Sequence, residues 1–439
     1  MANIIEPRVL KGFRDLLPAG EIARRALTSR IEGVYRLYGY VPIDTPALEY
    51  TSVLLGKGGG ETEKQVYRFT DSGGRDVALR FDLTVPLARF VAANFDVLPF
   101  PFKRYHIAKV WRGENTQRGR YREFTQCDCD AVGEDCAFAD FEILCMMREA
   151  LAAAGAGEVV IHVNHRGLFN RFLARLGLRE QSAAILRAVD KRAKIGRAET
   201  EALLAACAGG ERAREILAYV ECAGDWPAAL AELTARSGGV CPESERLAAL
   251  YAFLRDAGCA DGFALDPSIT RGLDYYTGIV YESFLTGLVE IGSVCSGGRY
   301  DDLAGLYTRK KLSGVGASIG LDRLIAALDV LGKSGGAATY AQAAIALVDE
   351  KAAGFCHRLA AELRGAGIGC EVLGADAKKA GAFFMGAQRR GLRWALVPVF
   401  DDGGPRAITL RDLDARESRE GLSVAEVIAA ICPPAKSAE

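Results

Sequence analysis

The chain has 439 residues, too many for one compact core, so two or three domains are expected. At 50% hydrophobic and 25% charged it is not a disordered chain. A net charge of −1 excludes the uniformly basic character of a general nucleic-acid binder, so any RNA contact must use local patches. The opening MANIIEPRVLKGFRDLLP has no apolar core run and no small-residue cleavage site, so no secretory signal is expected. No apolar run reaches the roughly 18 residues of a membrane-spanning helix. Twelve cysteines are scattered without a CxxC pair, and there are only four histidines. A protein metal site is therefore not indicated, and reduced thiols in a cytoplasm are expected.

Residues Glu21 to Tyr40 read as an amphipathic helix, with Leu27, Ile31, Val34, Tyr35 and Tyr38 at helical spacing and Gly39 as its stop. YVPIDTPALEY follows, an extended segment whose Pro42 and Pro46 place it at a sheet edge or interface. The Gly- and Glu-rich GKGGGETEKQ is a lid or a plain surface loop. VYRFTDSGGRDVALRF reads as a hairpin around Ser-Gly-Gly. Asp82 and Thr84 then open a helical pattern, where each can cap the helix or bind a ligand.

From Phe102 to Gly133 two strand-like runs flank a turn rich in Arg and Gly, a second hairpin. Strand side chains alternate between faces. Along the second run one face carries Tyr121, Glu123, Thr125, Cys127, Cys129 and Ala131. The other carries Arg122, Phe124, Gln126, Asp128 and Asp130. Phe124 and Asp130 lie roughly 20 Å apart at about 3.3 Å per residue. That face suits a long ligand with a flat ring at one end and a basic group at the other, or else it is an ordinary solvated face.

Asp140 to Ala153 reads as a helix and EVVIHVNH as a strand. From about 168 to 260 the chain is rich in Ala, Leu and Arg with helical periodicity, an all-helical insertion. Arg187, Lys191, Arg192, Lys194 and Arg197 make it locally basic, as a solvated face or an RNA-facing patch. DPSITRGLDYYTGIVYESFL returns to strand character and brings in Arg271, Asp274, Tyr275 and Tyr276. In SVCSGGRYDDLAGLY, Gly297 and Gly298 permit close backbone approach or positive φ. GVGASIGLDRLIAAL is a small-residue strand leading into a helix. Arg323 lies in that helix's first turn, where the dipole disfavours a cation. Asp322 offsets it, or an anionic or aromatic ligand does. GKSGGAATY reads as a linker. Beyond it, AAIALV, Ala352–Ala366, CEVL, Lys378–Arg390 and WALVPVF alternate as βαβαβ, which implies a parallel or mixed sheet. No GxGxxG or P-loop occurs there. Lys378, Lys379, Arg389, Arg390 and Arg393 give that unit local basic charge.

Taken together these stretches resemble histidyl-tRNA synthetases, class II aminoacyl-tRNA synthetases of the class IIa group, over nearly the whole chain. Tyr40 to Tyr50 resembles motif 1, a dimer interface. The second hairpin, with Arg112 and Glu114 in RGE, resembles motif 2, and GASIGLDRL with Arg323 resembles motif 3. RGLDYYTG (271–278) and SGGRYDDL (296–303) resemble signatures of the histidine enzymes in particular.

The resemblance implies an α+β catalytic domain over 1–331, with an antiparallel sheet flanked by helices and the helical insertion at about 168–260. It implies a linker over 332–340 and an α/β anticodon-binding domain over 341–439. It also implies a homodimer acting on L-histidine, ATP with Mg2+, and tRNA(His). Asp82, Thr84 and Gln126 would hold the α-amino group. This chain has Asp-Leu-Thr where many bacterial members have Glu-Gly-Thr, a variant similar to eukaryotic and archaeal-type members. Asp130 and Tyr276 would grip the imidazole, Tyr275 would line its pocket, and Tyr300 would close the site. Arg112 and Arg271 would sit opposite each other on the α-phosphate as the catalytic pair and would also contact the histidine. Glu114 would meet the adenine side, Phe124 and Arg323 would sandwich the ring, and Arg120 would hold the pyrophosphate end. Two other readings stand beside this one: a regulatory paralogue serving ATP phosphoribosyltransferase, and a histidine or tRNA sensor without activity. Intact Arg112, Arg271, Tyr276 and Arg323, and a whole further unit past the linker, argue against both.

Overall fold

The computed structural model describes residues 4–56, 61–270, 275–301, 303–333, 335–376, 380–401 and 404–432. Arg271, Asp274, Lys378 and Lys379, and most of the GKGGG stretch, lie outside them. The chain divides into two compact units, 1–15 with 27–334, and 16–26 with 335–439.

The chain opens with α1 (Pro18–Leu37), β1 (Val41–Pro42), β2 (Leu48–Tyr50), α2 (Thr51–Leu55) and α3 (Glu61–Gln65). Next come the hairpin β3 (Arg68–Thr70) and β4 (Asp76–Leu79), then α4 (Thr84–Ala93). The long hairpin is β5 (Phe102–Trp111) and β6 (Glu123–Val132), followed by α5 (Ala137–Ala153) and β7 (Val159–His165). The expected all-helical stretch holds α6 (Arg166–Arg175), α7 (Ser182–Asp190), α8 (Arg192–Ala208), α9 (Gly210–Val220), α10 (Trp226–Arg236) and α11 (Pro242–Asp256). Then β8 (Phe263–Leu265), β9 (Ile279–Leu285), β10 (Cys295–Tyr300), β11 (Gly314–Gly320) and α12 (Leu321–Val330) complete the larger unit.

Its main sheet runs β1-β5-β6-β11-β10-β9-β7-β8. The inner strands pair antiparallel as expected, but the outermost pairs, β1 with β5 and β7 with β8, are parallel. The sheet is therefore mixed. Its edge strands are two and three residues long, too short for a periodicity signal. The Pro-containing segment does lie at edges: β1 ends the main sheet, and β2 ends a small sheet ordered β2-β4-β3.

One face of the main sheet is the core. Cys127, Cys129 and Ala131 pack with Val315, Ala317, Ile319, Tyr281 and Ile161 against Leu27, Ile31 and Tyr35 of α1 and Ile143, Met147 and Leu151 of α5. The Tyr35 hydroxyl donates to Cys127 O (3.0 Å), tying α1 to β6. The opposite face is polar and also buried, and there the candidate site lies.

The smaller unit continues with β12 (Ala343–Leu347), α13 (Ala353–Gly365), β13 (Cys370–Gly374), α14 (Ala380–Arg389) and β14 (Trp394–Asp401). It ends with β15 (Gly404–Asp412), β16 (Glu417–Leu422) and α15 (Val424–Ile431). The sheet order is β13-β12-β14-β15-β16; the first three strands are parallel and the last two join antiparallel. The βαβαβ core is as expected. The added β16 is exposed along almost its whole length, so it carries no alternation to read.

Candidate active site

The register of the main sheet decides what meets over its polar face. Asp130 stands opposite Arg104 of β5 and Gly316 of β11; Asp128 stands opposite His106 and Ser318; Gln126 stands opposite Ala108 and Gly320. Glycines make the room. A Cβ at Gly316 would sit 2.0 Å from Asp130 Oδ1, and one at Gly298 would sit 2.9 Å from the Tyr276 ring. Gly297 serves the other face, where a Cβ would meet Tyr281 at 2.4 Å. The two glycines therefore do permit close approach, one on each side of the sheet.

Asp130 is 2% exposed. Its Oδ1 accepts from the Tyr300 hydroxyl (2.5 Å), and its Oδ2 lies 2.7 Å from Nη2 of the wholly buried Arg104. Arg104 also donates to Leu83 O (3.2 Å), which links β5 to the turn before α4. That turn carries Asp82. Its Oδ1 accepts from Val85 N (3.2 Å), the expected cap, while its Oδ2 accepts from the Tyr275 hydroxyl (3.0 Å). Capping and site-lining thus coexist in one side chain. Thr84 opens α4 beside it, and the Tyr275 hydroxyl meets it too. The rings of Tyr276 and Tyr300 stand edge-on to Tyr275 at 5.1 and 5.9 Å. Burial pushes all three phenols well up, so they are neutral donors at ordinary pH.

Three carboxyls gather here. Burial pushes Asp82 up to about 6, against the pull of Arg112. It pushes Asp128 up to about 7, against Arg104. Asp130 is raised for the same reason, again opposed by Arg104. Gln126 donates from Nε2 to Ser318 Oγ (2.6 Å), and Ser318 hydrogen-bonds to Asp128. Gln126 Oε1 and Asp128 Oδ1 are buried acceptors without a hydrogen-bond partner among the described residues. Buried acceptors of this kind are uncommon in proteins and point to a ligand or water.

The second half of the site lies toward the β5–β6 connection. Arg112 donates from Nε to Phe81 O (2.9 Å), and its guanidinium carbon stands 5.1 Å from the centre of the Phe124 ring. Glu114 and Arg120 pair with each other at 2.5 Å. Gly119, at φ 69°, brings the turn against α12: a Cβ there would be 3.1 Å from Arg323 Cα. Arg323 donates to Ser293 O (2.7 Å). Arg112 is thus a cation on the Phe124 ring. Asp322 does more than offset a helix dipole: it accepts from Thr125 N (2.6 Å) and pairs with Arg14, joining α12 to β6.

The structure brings Asp82, Thr84, Gln126, Asp130, Tyr275, Tyr276 and Tyr300 to one end of the face. Arg112, Glu114, Arg120, Phe124 and Arg323 lie toward the other, and Arg271 is outside the described residues. Sequence reasoning missed Arg104 and gave Asp128 no role. Asp128 was legible on the polar face; Arg104 became visible only through its pairing with Asp130. Among the described residues no His, Cys, Asp or Glu cluster is arranged to hold a metal ion, and no helix is long and apolar enough to cross a membrane.

A family model described as histidyl-tRNA synthetase matches residues 12–324, and one described as an anticodon binding domain matches 342–432. The histidine–tRNA ligase of Treponema denticola is 49% identical over 434 residues, covering 96% of this chain and 97% of that protein. The one from Rhodopirellula baltica is 44% identical over 95% of this chain and 96% of its own length. The crystal structure of histidyl-tRNA synthetase from Nostoc sp. PCC 7120 superposes with a TM-score of 0.85 at 31% identity, covering 98% of this chain and 99% of that one. With a matching model over most of its length and relatives this similar end to end, the chain belongs to the histidyl-tRNA synthetase family.

Proposed function

We propose that this chain activates L-histidine with ATP to histidyl-adenylate and then transfers the histidyl group to the 3′ end of tRNA(His). The observation that carries this is the row of buried acceptors on β6, with Gln126 Oε1 and Asp128 Oδ1 unpartnered beside Asp130, in a chain of this family. Such a row suits a small ligand rich in N–H groups. Asp82, Thr84 and Gln126 hold the α-ammonium. Asp130 and Tyr276 take the imidazole, with Tyr275 and Tyr300 as walls. Phe124 supports the adenine, Arg323 closes over it, Glu114 meets its edge, and Arg120 holds the pyrophosphate end.

The histidine carboxylate, already ionised at neutral pH, attacks the α-phosphorus, and pyrophosphate leaves. No general base is needed, so positioning and charge stabilisation supply the catalysis. Arg112 and Arg271 provide forked donors for paired oxygens. Magnesium, carried on the nucleotide phosphates, would neutralise charge on the leaving pyrophosphate. In the second step the terminal ribose hydroxyl attacks the histidyl carbonyl and AMP leaves.

The domain reading is a catalytic body over 1–331 with the insertion at about 168–260, a linker over 332–340 and an anticodon-binding domain over 341–439. The two compact units and the two matched spans support it. A cytoplasmic homodimer fits as well. Val41, Leu48, Tyr50 and Phe69 are exposed on the edge strands β1, β2 and β3, apolar side chains along unpaired strand edges. The decisive experiment is ATP–pyrophosphate exchange with and without histidine, followed by charging of tRNA(His). Exchange that ignores histidine, or histidine binding without exchange, would favour the regulatory or sensor reading.

A further inference from the structure

Asp128 has no assigned part in the site, yet its position is unusual. It lies on β6 between Gln126 and Asp130, on the same face, and is 1% exposed. Every element around that face contributes a group. From β5 come Arg104 and His106, from β6 Asp130, from β11 Ser318. The turn before α4 adds Arg80 and Asp82, and Tyr276 lies near enough to feel the charge. His106 does not compensate Asp128, because burial and Arg104 push its imidazole down to about 4 and leave it neutral. Arg104 pairs with Asp130 and donates to Leu83 O through Nη2, and it makes no hydrogen bond to Asp128 among the described residues. Three buried carboxyls therefore share the cations Arg104, Arg112 and Arg80.

Asp130 has the Tyr300 hydroxyl bonded at Oδ1, while its Oδ2 has the Arg104 guanidinium at ion-pair distance, 2.7 Å, without a hydrogen bond. Asp128 takes one bond from Ser318, and its Oδ1 has no hydrogen-bond partner among the described residues. A carboxylate oxygen seeks donors, and leaving it bare in the interior is costly. We propose that Asp128 is a specificity-determining residue whose Oδ1 accepts a hydrogen bond from an imidazole N–H of the substrate. Asp130 then stands beside it with its carboxyl already anchored by Arg104 and Tyr300. Gln126, through Ser318, fixes the Asp128 carboxyl for that task. The inference rests on the histidine-activation reading and adds to it the residue that senses the ring N–H.

The test is histidine-dependent ATP–pyrophosphate exchange on the full chain with Asp128→Asn and Asp128→Ala. Asparagine keeps the volume, so a folded protein is available whichever way alanine behaves. The expected result is a KM for histidine raised by about 10- to 100-fold, with the KM for ATP within about twofold, as for loss of one buried substrate hydrogen bond. The two ring N-methylhistidines give a second readout. The wild type should reject one isomer strongly, and the variants should lose most of that discrimination. A histidine KM within twofold of wild type in both variants would overturn the proposal, and would mean that water satisfies Oδ1. So would parallel rises in both KM values, or unchanged discrimination between the isomers. Wild-type exchange that does not depend on histidine would instead remove the activity reading itself, so the two failures are distinguishable.

Discussion

The two sheets of this protein use the same strand alternation for opposite ends. In the smaller unit both faces are apolar. Ala343 and Ile345 face α13 and α15, while Ala344 and Ala346 face α14 with Phe383 and Ala387. In the main sheet only one face is apolar. The other buries Arg104, His106, Gln126, Asp128 and Asp130 and is floored by Gly298, Gly316 and Gly320. Hydrophobic burial stabilises the first arrangement twice over. The second gives up that gain on one side and adds the cost of desolvating charges, which only pairing offsets. The difference marks the buried polar face of the larger unit as the candidate for small-molecule chemistry. It leaves the smaller one as a closed sandwich whose exposed surface is what it can offer to RNA.

The sharpest break in the comparison is Arg112→Ala. Exchange turnover should fall on the order of 10²–10³-fold, by analogy with removing one transition-state donor. The fold should lose only about 1 kcal/mol, from the bond to Phe81 O. Exchange within about threefold of wild type would show that the polar face does not do the chemistry.

A second test uses pH to measure what burying charge costs. Asp128 sits at about 7 when folded, against an ordinary carboxylate value near 4 when unfolded. The folded state therefore holds the proton more tightly, and stability falls as pH rises. The contribution is fully present below about pH 4, shrinks from there to about 7, and is constant above. Asp128→Asn does not titrate. Without histidine its melting temperature should match wild type near pH 4 and exceed it at pH 8. About 1.4 kcal/mol per tenfold of proton affinity sets a ceiling on the order of 4 kcal/mol. A gap that does not vary with pH would mean that Asp128 is not held in the low-dielectric setting described.

Gly316→Ala and Gly374→Ala compare the sheets directly. The first methyl would land 2.0 Å from Asp130 Oδ1 and 2.7 Å from Cys129 O; the second, in β13, meets nothing within 4 Å. Gly316→Ala should cost about 1–3 kcal/mol as overpacking and raise the histidine KM. Gly374→Ala should be neutral or stabilise by up to about 1 kcal/mol through the unfolded state. Equal effects in melting and in exchange kinetics would erase the distinction between a packed floor and an open one.

Much of this architecture was legible because it is local. Alternation along Tyr121–Val132 separated Cys127 and Cys129 from Gln126, Asp128 and Asp130, and the structure places them on opposite faces. The Ser-Gly-Gly turn, the α1 stripe and the βαβαβ order were likewise local signals. What escaped depended on pairing at a distance. The β5–β6 connection, residues 112–122, is too long for turn rules to set a register, so Arg104 opposite Asp130 could not be derived. The parallel edge pairs join segments far apart in sequence. The bond from Arg323 to Ser293 O likewise joins α12 to the segment before β10 and leaves no local signal.

The smallest effect comes from the closed sandwich. Ser423 caps α15: its Oγ accepts from Glu426 N (3.3 Å), and Glu426 Oε2 accepts in return from Ser423 N (2.8 Å). This reciprocal box satisfies two donors that the helix itself cannot. The cap matters because α15 inserts Val427 into the core shared by β12, α13 and β15. Ser423→Ala should therefore cost about 1 kcal/mol, seen as a few degrees in the melting of the smaller unit. The cap belongs to the smaller unit and none of the residues assigned to histidine or ATP lies in it, so histidine-dependent exchange should stay within about 1.5-fold of wild type. Charging of tRNA(His) should weaken only at temperatures where the smaller unit begins to open. Differential scanning calorimetry, with exchange and charging assayed across the same temperatures, separates the cases. If exchange falls in step with the loss of the smaller unit, the two sheets are energetically coupled, and the division between a chemical face and a closed sandwich does not hold.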